Sequence, residues 1–288
     1  MITAGLVLEG GATRGVFTSG VLDYLMEKDI YLSHVIGVSA GSCNAVDYVS
    51  KQIGRTRDCM IRQGEEYNYY YGLKDFVRNK SILDMDMIFD KFPNELIPFD
   101  FDTYFTSDIT CEIVVTNCLT GKAEYLTENK DKARLMKLCR ASSSMPLVCP
   151  IVNVDNTPYL DGGLADSVPV RRALKLGFEK NVVILTRPKG YRKKTISKPL
   201  ARLYRRLYGK YPELVRICIQ RNRIYNRTME AIEELEEQGR IYVIQPEMKP
   251  VSRLEKDQHK LMAFYEHGYE LMEKKLPELM GYLCIENE

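Results

Sequence analysis

The sequence predicts an α/β fold: a mostly parallel sheet with helices on its faces. Three observations carry that reading. The N-terminal stretch to Ile53 runs strand, glycine-rich turn, helix, strand, tight turn, helix. Two later apolar runs, Asn181–Thr186 and Arg240–Ile244, are separated by a long helical stretch, as neighbouring parallel strands joined by a crossover require. With 288 residues, 45% hydrophobic and 28% charged, the chain has a globular composition and room for a large core.

Taken in order, Ala4–Leu8 is a short apolar run ending at a glycine-rich turn, which suits a buried strand. The turn opens a helix to about Lys28 whose apolar face is Val16, Val21, Leu22 and Leu25. His34–Val38 reads as the second strand and Ala40–Ile53 as the second helix. Residues 82–101 differ in texture, with Met85, Met87, Ile88, Phe89, Phe92, Leu96, Ile97, Phe99 and Phe101 interspersed among aspartates and prolines. Thr110–Thr116 and Ala123–Leu126 read as paired strands around Thr120-Gly121. A helix near Lys130–Ala141 follows, then strands at Ile151–Val154 and Tyr159–Leu160 and a helix from Pro169.

From Arg187 to Arg227 the composition shifts. The segment holds 14 Lys+Arg and a single acid, Glu213, a formal +13 against −11 for the remainder of a chain whose net charge is +2. Gly209 and Pro212 divide it into two helices, glycine as a stop and proline as a first-turn residue. Leu254–Leu276 reads as a long amphipathic helix with Leu254, Leu261, Tyr265, Met272 and Leu276 on its apolar face. On that helix His259 and His267 point to solvent. The division expected is a core over residues 1–187 and a mainly helical extension over 188–288 that adds one strand to the same sheet.

Composition also excludes. The near-zero net charge gives no overall reason to expect nucleic acid as a partner. Eight scattered cysteines without a CxxC pair read as reduced thiols rather than a disulfide framework or a zinc site. The first residues lack a basic region and reach Glu9 too early for a signal peptide, and no apolar run is long enough to cross a bilayer. The expectation is a soluble, cytoplasmic protein. The basic segment either docks peripherally on an anionic membrane surface or forms a solvated face against the acidic remainder.

Three turns carry the candidate chemistry. Gly37-Val38-Ser39-Ala40-Gly41 fits G-x-S-x-G, a sharp strand-to-helix turn that exposes a strained serine beneath a helix N-terminus. A helix start capped by Ser39 is the plainer reading. Gly10-Gly11-Ala12-Thr13-Arg14-Gly15 fits a dinucleotide loop poorly, because Ala12 stands at the third position and Glu9 precedes it. Its unobstructed backbone N–H groups suit an oxyanion hole, or simply a tight turn. Leu160-Asp161-Gly162-Gly163 is an Asp-Gly turn that gains interest once a serine needs a base. Three histidines leave little for a conventional triad, and His34 starts the strand that ends at Ser39, too far away to serve it.

In their order along the chain the three motifs resemble the patatin-like phospholipase family, which carries a G-G-[GA]-x-[RK]-G loop, a G-x-S-x-G elbow and a D-G-[GA] turn. Ala141-Ser142-Ser143-Ser144-Met145-Pro146 is a further family-like stretch, and the resemblance covers about residues 4–187. It implies a three-layer α/β/α sandwich and a serine lipid acyl hydrolase without metal or organic cofactor. In that family a Ser–Asp dyad replaces the triad. Carried over, Ser39 is the nucleophile, Asp161 the general base, Gly10, Gly11 and Ala12 the oxyanion donors, and Arg14 the anchor of the loop. Residues 82–101, with Tyr67, Tyr69, Tyr70 and Tyr71, then line an acyl pocket or form a lid, or else are ordinary core. The rival functions are a serine esterase or thioesterase on soluble acyl compounds, and a non-catalytic nucleotide-binding or scaffold protein.

Overall fold

Eight strands form one sheet in the computed structural model, which describes residues 1–61, 64–70 and 81–283. In chain order they are β1 (Ile2–Leu8), β2 (Leu32–Val38), β3 (Thr110–Asn117), β4 (Ala123–Leu126), β5 (Val152–Val154), β6 (Thr157–Asp161), β7 (Asn181–Ile184) and β8 (Tyr242–Ile244). The sheet order is β5-β6-β3-β2-β1-β7-β8, with β4 also paired to β3. Every pairing from β3 to β8 along this path is parallel, whereas β4 and β6 run antiparallel to β3 and β5 antiparallel to β6.

The parallel strands are apolar on both sides, and the twofold alternation of a strand divides their side chains between two cores. Leu6, Leu8, Val35, Ile113, Val115, Val182 and Ile184 enter one core. Val7, Ile36, Val38, Val114, Val183 and Val243 enter the other. The first is covered by α1 (Gly15–Glu27), α2 (Ala40–Val49), α5 (Lys132–Ser142) and α9 (Gln258–Leu283). The second is covered by α6 (Val170–Lys175) and α8 (Pro212–Glu237). A third cluster joins α8 and α7 (Lys198–Leu207) to Leu160, Leu164 and Cys118. The result is the three-layer sandwich, with a helical C-terminal region that also supplies β8.

Local chemistry moves some boundaries. The second helix stops at Val49 rather than Ile53, because Lys51 takes φ 56° and Gly54 φ 77°, left-handed values that end a right-handed helix. A short helix, α3 (Arg55–Met60), follows. The Met/Phe-rich stretch is a π-helical segment, Met87–Leu96, with Pro93 inside it, leading to α4 (Phe101–Thr106). The last helix begins at Gln258, where Asp257 accepts from the His259 and Lys260 N–H groups, and it passes through Pro277 to Leu283. Leu254 is therefore outside it and exposed.

α9 lies against α1 at a crossing only glycine permits. A Cβ on Gly20 would fall 2.1 Å from the Tyr265 carbonyl oxygen, and one on Gly268 would fall 2.2 Å from that of Phe17. His267 belongs to this seam rather than to solvent. Its ring packs 5.6 Å from Phe17, and its Nε2 accepts from the Glu247 N–H. Among the described residues no disulfide is formed. Among the described residues no helix is long and apolar enough to cross a membrane.

Candidate active site

The sheet itself brings Ser39 and Asp161 together. Val38, the last residue of β2, pairs with Val114 of β3, and Asp161, the last residue of β6, pairs with Val115. Since β4 occupies the other edge of β3 at these positions, β2 and β6 share one edge and meet end to end. The residue that follows Val38 and the residue that ends β6 are thus delivered to one point from opposite directions.

Ser39 sits there in a strained turn, at φ 55° and ψ −123°. The turn is tight enough that a Cβ on Gly37 would fall 2.5 Å from the Gly41 carbonyl oxygen. One on Gly41 would fall 2.5 Å from that of Leu8. Hydrogen bonds hold the strain in place. The Ser39 N–H donates to Ser142 Oγ at 2.8 Å, and that hydroxyl in turn donates to the Val114 carbonyl at 2.7 Å. Ser42 Oγ donates to the Ser39 carbonyl at 2.6 Å. The serine-rich stretch noticed in the sequence therefore has a physical role, bracing the elbow against β3.

Asp161 is 2% exposed and Ser39 9% exposed. Desolvation pushes the Asp161 carboxyl above the ordinary carboxylate range. The Ser39 hydroxyl, the Gly163 N–H and the charges of Arg221 and Arg253 oppose the shift without cancelling it. The Gly163 N–H donates to Oδ1 at 2.7 Å, which fixes the carboxylate plane.

The glycine loop completes the site. A Cβ on Gly10 would lie 2.9 Å from the Ser39 Cβ, so the loop passes directly against the serine. No hydrogen bond engages the N–H groups of Gly10, Gly11 and Ala12 among the described residues. Ala12 has φ 51°, a left-handed conformation that an L residue adopts at a cost and glycine adopts freely. That is the physical reason glycine would suit this position better than the alanine that occupies it. Arg14 anchors the loop through Nε, which donates to the Val251 carbonyl at 3.0 Å. Thr13 adds a hydrogen bond from Oγ1 to the Ser252 carbonyl at 2.8 Å. The loop is thus tied to the connection that precedes α9.

Two cavities meet at Ser39. One is apolar, about 240 Å³, and its wall includes Tyr69, Tyr70, Met85, Ile88, Phe89 and Phe92. Its charged pair, Asp47 and Arg55, is internally neutralised at 2.8 Å. Tyr67 is described but does not line this cavity, and Tyr71 lies outside the described residues. A larger open groove, about 490 Å³, lies beyond Phe89 and Met136 and contains neither Ser39 nor Asp161. The second cavity at Ser39 is a small polar cleft of about 60 Å³. It is lined by Gly10, Gly11, Ala12, Arg14, Ser39 and Asp161 and also by Arg187, Lys193, Arg221 and Arg253.

Those last four cations were not singled out by sequence reasoning as site residues. One signal was available. On α8 the residues Leu214, Cys218, Arg221, Tyr225, Met229 and Ile232 follow helical spacing, which puts a cation in the middle of an apolar stripe. None of the three histidines lines either cavity at Ser39. His34 instead lies 3.8 Å from Glu112, which also holds Arg172.

Residues 211–284 match a domain of unknown function, DUF6363. An uncharacterized protein of Escherichia coli (strain K12), YjjU, is 31% identical over 194 residues, 64% of this chain, and the chain spans about half (52%) of that relative's length. The crystal structure of VipD from Legionella pneumophila aligns over 96% of this chain and 67% of its own, with a TM-score of 0.45 and 12% identity. The family described as patatin-like phospholipase matches residues 6–174, more than half of the chain and all three glycine-bearing turns, and the chain belongs to that family.

Proposed function

We propose that this protein is a serine lipid acyl hydrolase of the phospholipase A or lysophospholipase type, with Ser39 as nucleophile and Asp161 as general base. One observation carries the reading: Ser39 stands where an apolar cavity and a polar cleft meet, as an amphiphilic ester needs. Ser39 Oγ attacks the ester carbonyl while Asp161 accepts its proton. The N–H groups of Gly10, Gly11 and Ala12 take up the negative charge on the carbonyl oxygen. The alcohol leaves with the proton held by Asp161, and the acyl group stays on Ser39. Asp161 then deprotonates a water that attacks the acyl-enzyme, releasing the fatty acid and restoring the serine. A carboxyl raised above its ordinary range is a better base for this task than a free aspartate. Peripheral contact with an anionic bilayer belongs to the same reading, because Arg216, Arg223 and Arg227 are exposed along α8.

Labelling by a fluorophosphonate probe, together with fatty-acid release from micellar and monomeric esters, tests it. The wild type is expected to label at Ser39 and turn over, and Ser39→Ala to lose label and about 10³-fold or more of the activity. Asp161→Asn is expected to lose about 10²–10⁴-fold. A wild type that neither labels nor hydrolyses any ester overturns the assignment, and full turnover by Asp161→Asn removes Asp161 as the base.

A further inference from the structure

The polar cleft beside Ser39 carries far more positive charge than its own acids balance. Arg14, Arg187, Lys193, Arg221 and Arg253 line it, against the carboxyls of Glu9 and Asp161. Among the described residues, none of these five cations forms a salt bridge with a carboxylate. Outside the cleft three cations of the same basic segment do find acids, Arg192 with Glu233, Lys189 with Glu236 and Arg216 with Glu213. What sets the cleft apart is that its unpaired cations converge on one small cavity beside Ser39.

Arg221 is the most telling member. It is 8% exposed, and its Nε has no hydrogen-bond partner although the atom is fully buried. A buried guanidinium donor left unmatched is costly, and an anion seated in the cleft beside it offers the partner it lacks. Crowding adds to the cost. Desolvation, and then repulsion from Arg187 and Arg253, lowers Arg14 to about 10. Lys193, held with its Nζ 3.5 Å from the centre of the Tyr225 ring, is lowered to about 7 mainly by desolvation, with Arg221 and Arg253 adding to it and Glu9 opposing. An anion in the cleft would relieve all of these.

On the acyl hydrolase reading above, we infer that the Arg187–Lys193–Arg221–Arg253 cleft binds the phosphate of a net-anionic glycerophospholipid, and so selects headgroups that carry no compensating amine. The cleft and the apolar cavity share Ala12, Ser39, Met145 and Arg253. A substrate whose acyl chain enters the apolar cavity thus places its headgroup, a few bonds from the scissile ester, among these cations. Arginine forks suit phosphate oxygens, whereas a choline or ethanolamine ammonium would meet like charge. Three of the four residues come from the basic segment and the fourth from the connection before α9. On this inference the family core supplies the chemistry and the C-terminal region sets the headgroup.

The experiment compares kcat/KM on short-chain substrates below their critical micelle concentration, so that attraction to a charged surface plays no part. The acyl chains are identical, and the four headgroups are a phosphate monoester, a glycerol phosphodiester, a choline phosphodiester and the uncharged diacylglycerol. The wild type is expected to favour the anionic substrates over the choline and uncharged ones by about tenfold or more. A larger preference for the monoester than for the glycerol diester identifies the terminal phosphate as the source; equal preference identifies phosphate charge alone. Arg253→Gln, at an exposed position, is expected to lower the ratio severalfold, and Arg221→Gln to lower it further. Arg223→Gln and Arg227→Gln, on the exposed face of α8, are expected to leave the ratio unchanged.

Hydrolysis of the uncharged ester without an anionic preference overturns the headgroup inference and leaves the acyl hydrolase reading intact. An equal loss of preference in Arg223→Gln overturns it in favour of diffuse surface attraction. Calorimetric titration with glycerol 3-phosphate separates the two readings even for a protein that turns nothing over. Binding that Arg253→Gln weakens supports the cleft, and absence of binding overturns it.

Discussion

Asp161, the proposed base, also bears on the stability of the fold. Its folded-state pKa is raised, chiefly by desolvation, so the proton is held more tightly in the folded chain than in the unfolded one. The stabilisation this gives is complete below the unfolded carboxyl's pKa and is lost as pH rises through the folded value. At neutral pH the ionised carboxylate is therefore a net burden on the fold. Asp161→Asn removes the charge and keeps an oxygen that accepts from the Gly163 N–H. Thermal denaturation is expected to show the variant melting at or above the wild type at pH 7.5, with the advantage shrinking towards pH 4.5. A variant that melts well below the wild type at pH 7.5 would contradict this account. Ser39 and Asp161 were both legible in the sequence, because glycine spacing records the two turns that present them. Ser142 was legible only as part of a motif. Its hydrogen bonds to the Ser39 N–H and the Val114 carbonyl join positions far apart in the chain, and no local pattern encodes them.

At the scale of elements, periodicity located nearly every strand and helix because both sheet faces are buried and apolar. It misplaced ends set by single dihedrals, as at Lys51 and Gly54, and it did not identify the π-helical turn at Met87–Leu96. It also misjudged His267, whose helical position faces away from the expected stripe but towards Phe17 on α1. The stripe on α9 is wider than the heptad-like reading allowed, because α1 approaches closely enough to cover its flank. Gly20 and Gly268 permit that approach. Gly268→Ala would force a Cβ to within 2.2 Å of a backbone oxygen, which side-chain rotation cannot relieve. The helices must separate, and the seam formed by Phe17, Phe264 and Tyr265 opens with them. Chemical denaturation is expected to show a loss of about 3 kcal/mol or more, above the usual 1–3 kcal/mol for overpacking a core side chain. Gly281→Ala, on the same helix with open space around it, is expected to cost nothing measurable. Equal stability of the two variants would remove the close crossing as the determinant of helix placement.

For the whole molecule, family boundaries and physical boundaries need not coincide. The patatin-like match ends at residue 174 and the domain of unknown function begins at 211, which invites a reading as two units. The contacts argue for one. β8 pairs with β7 in the main sheet, and α9 buries Leu261, Phe264, Leu271, Met272 and Leu279 in the same core as α1 and β1. At about 2 kcal/mol for each fully buried large side chain, those five contribute on the order of 10 kcal/mol, comparable with the entire stability of a typical domain. The glycine loop is also tied to Val251 and Ser252, so loss of the C-terminal region would release the loop as well as uncover the core. A chain ending at residue 187 is therefore expected neither to fold independently nor to label at Ser39. In the full chain, urea denaturation should show one transition. With 19 tyrosines and no tryptophan, tyrosine emission reports tertiary structure on both sides of residue 187, and far-ultraviolet circular dichroism reports the helices. The two signals should change at the same urea concentration. Two separated transitions, or a folded and reactive 1–187 fragment, would show instead that the C-terminal region is an independent partner of a self-sufficient core.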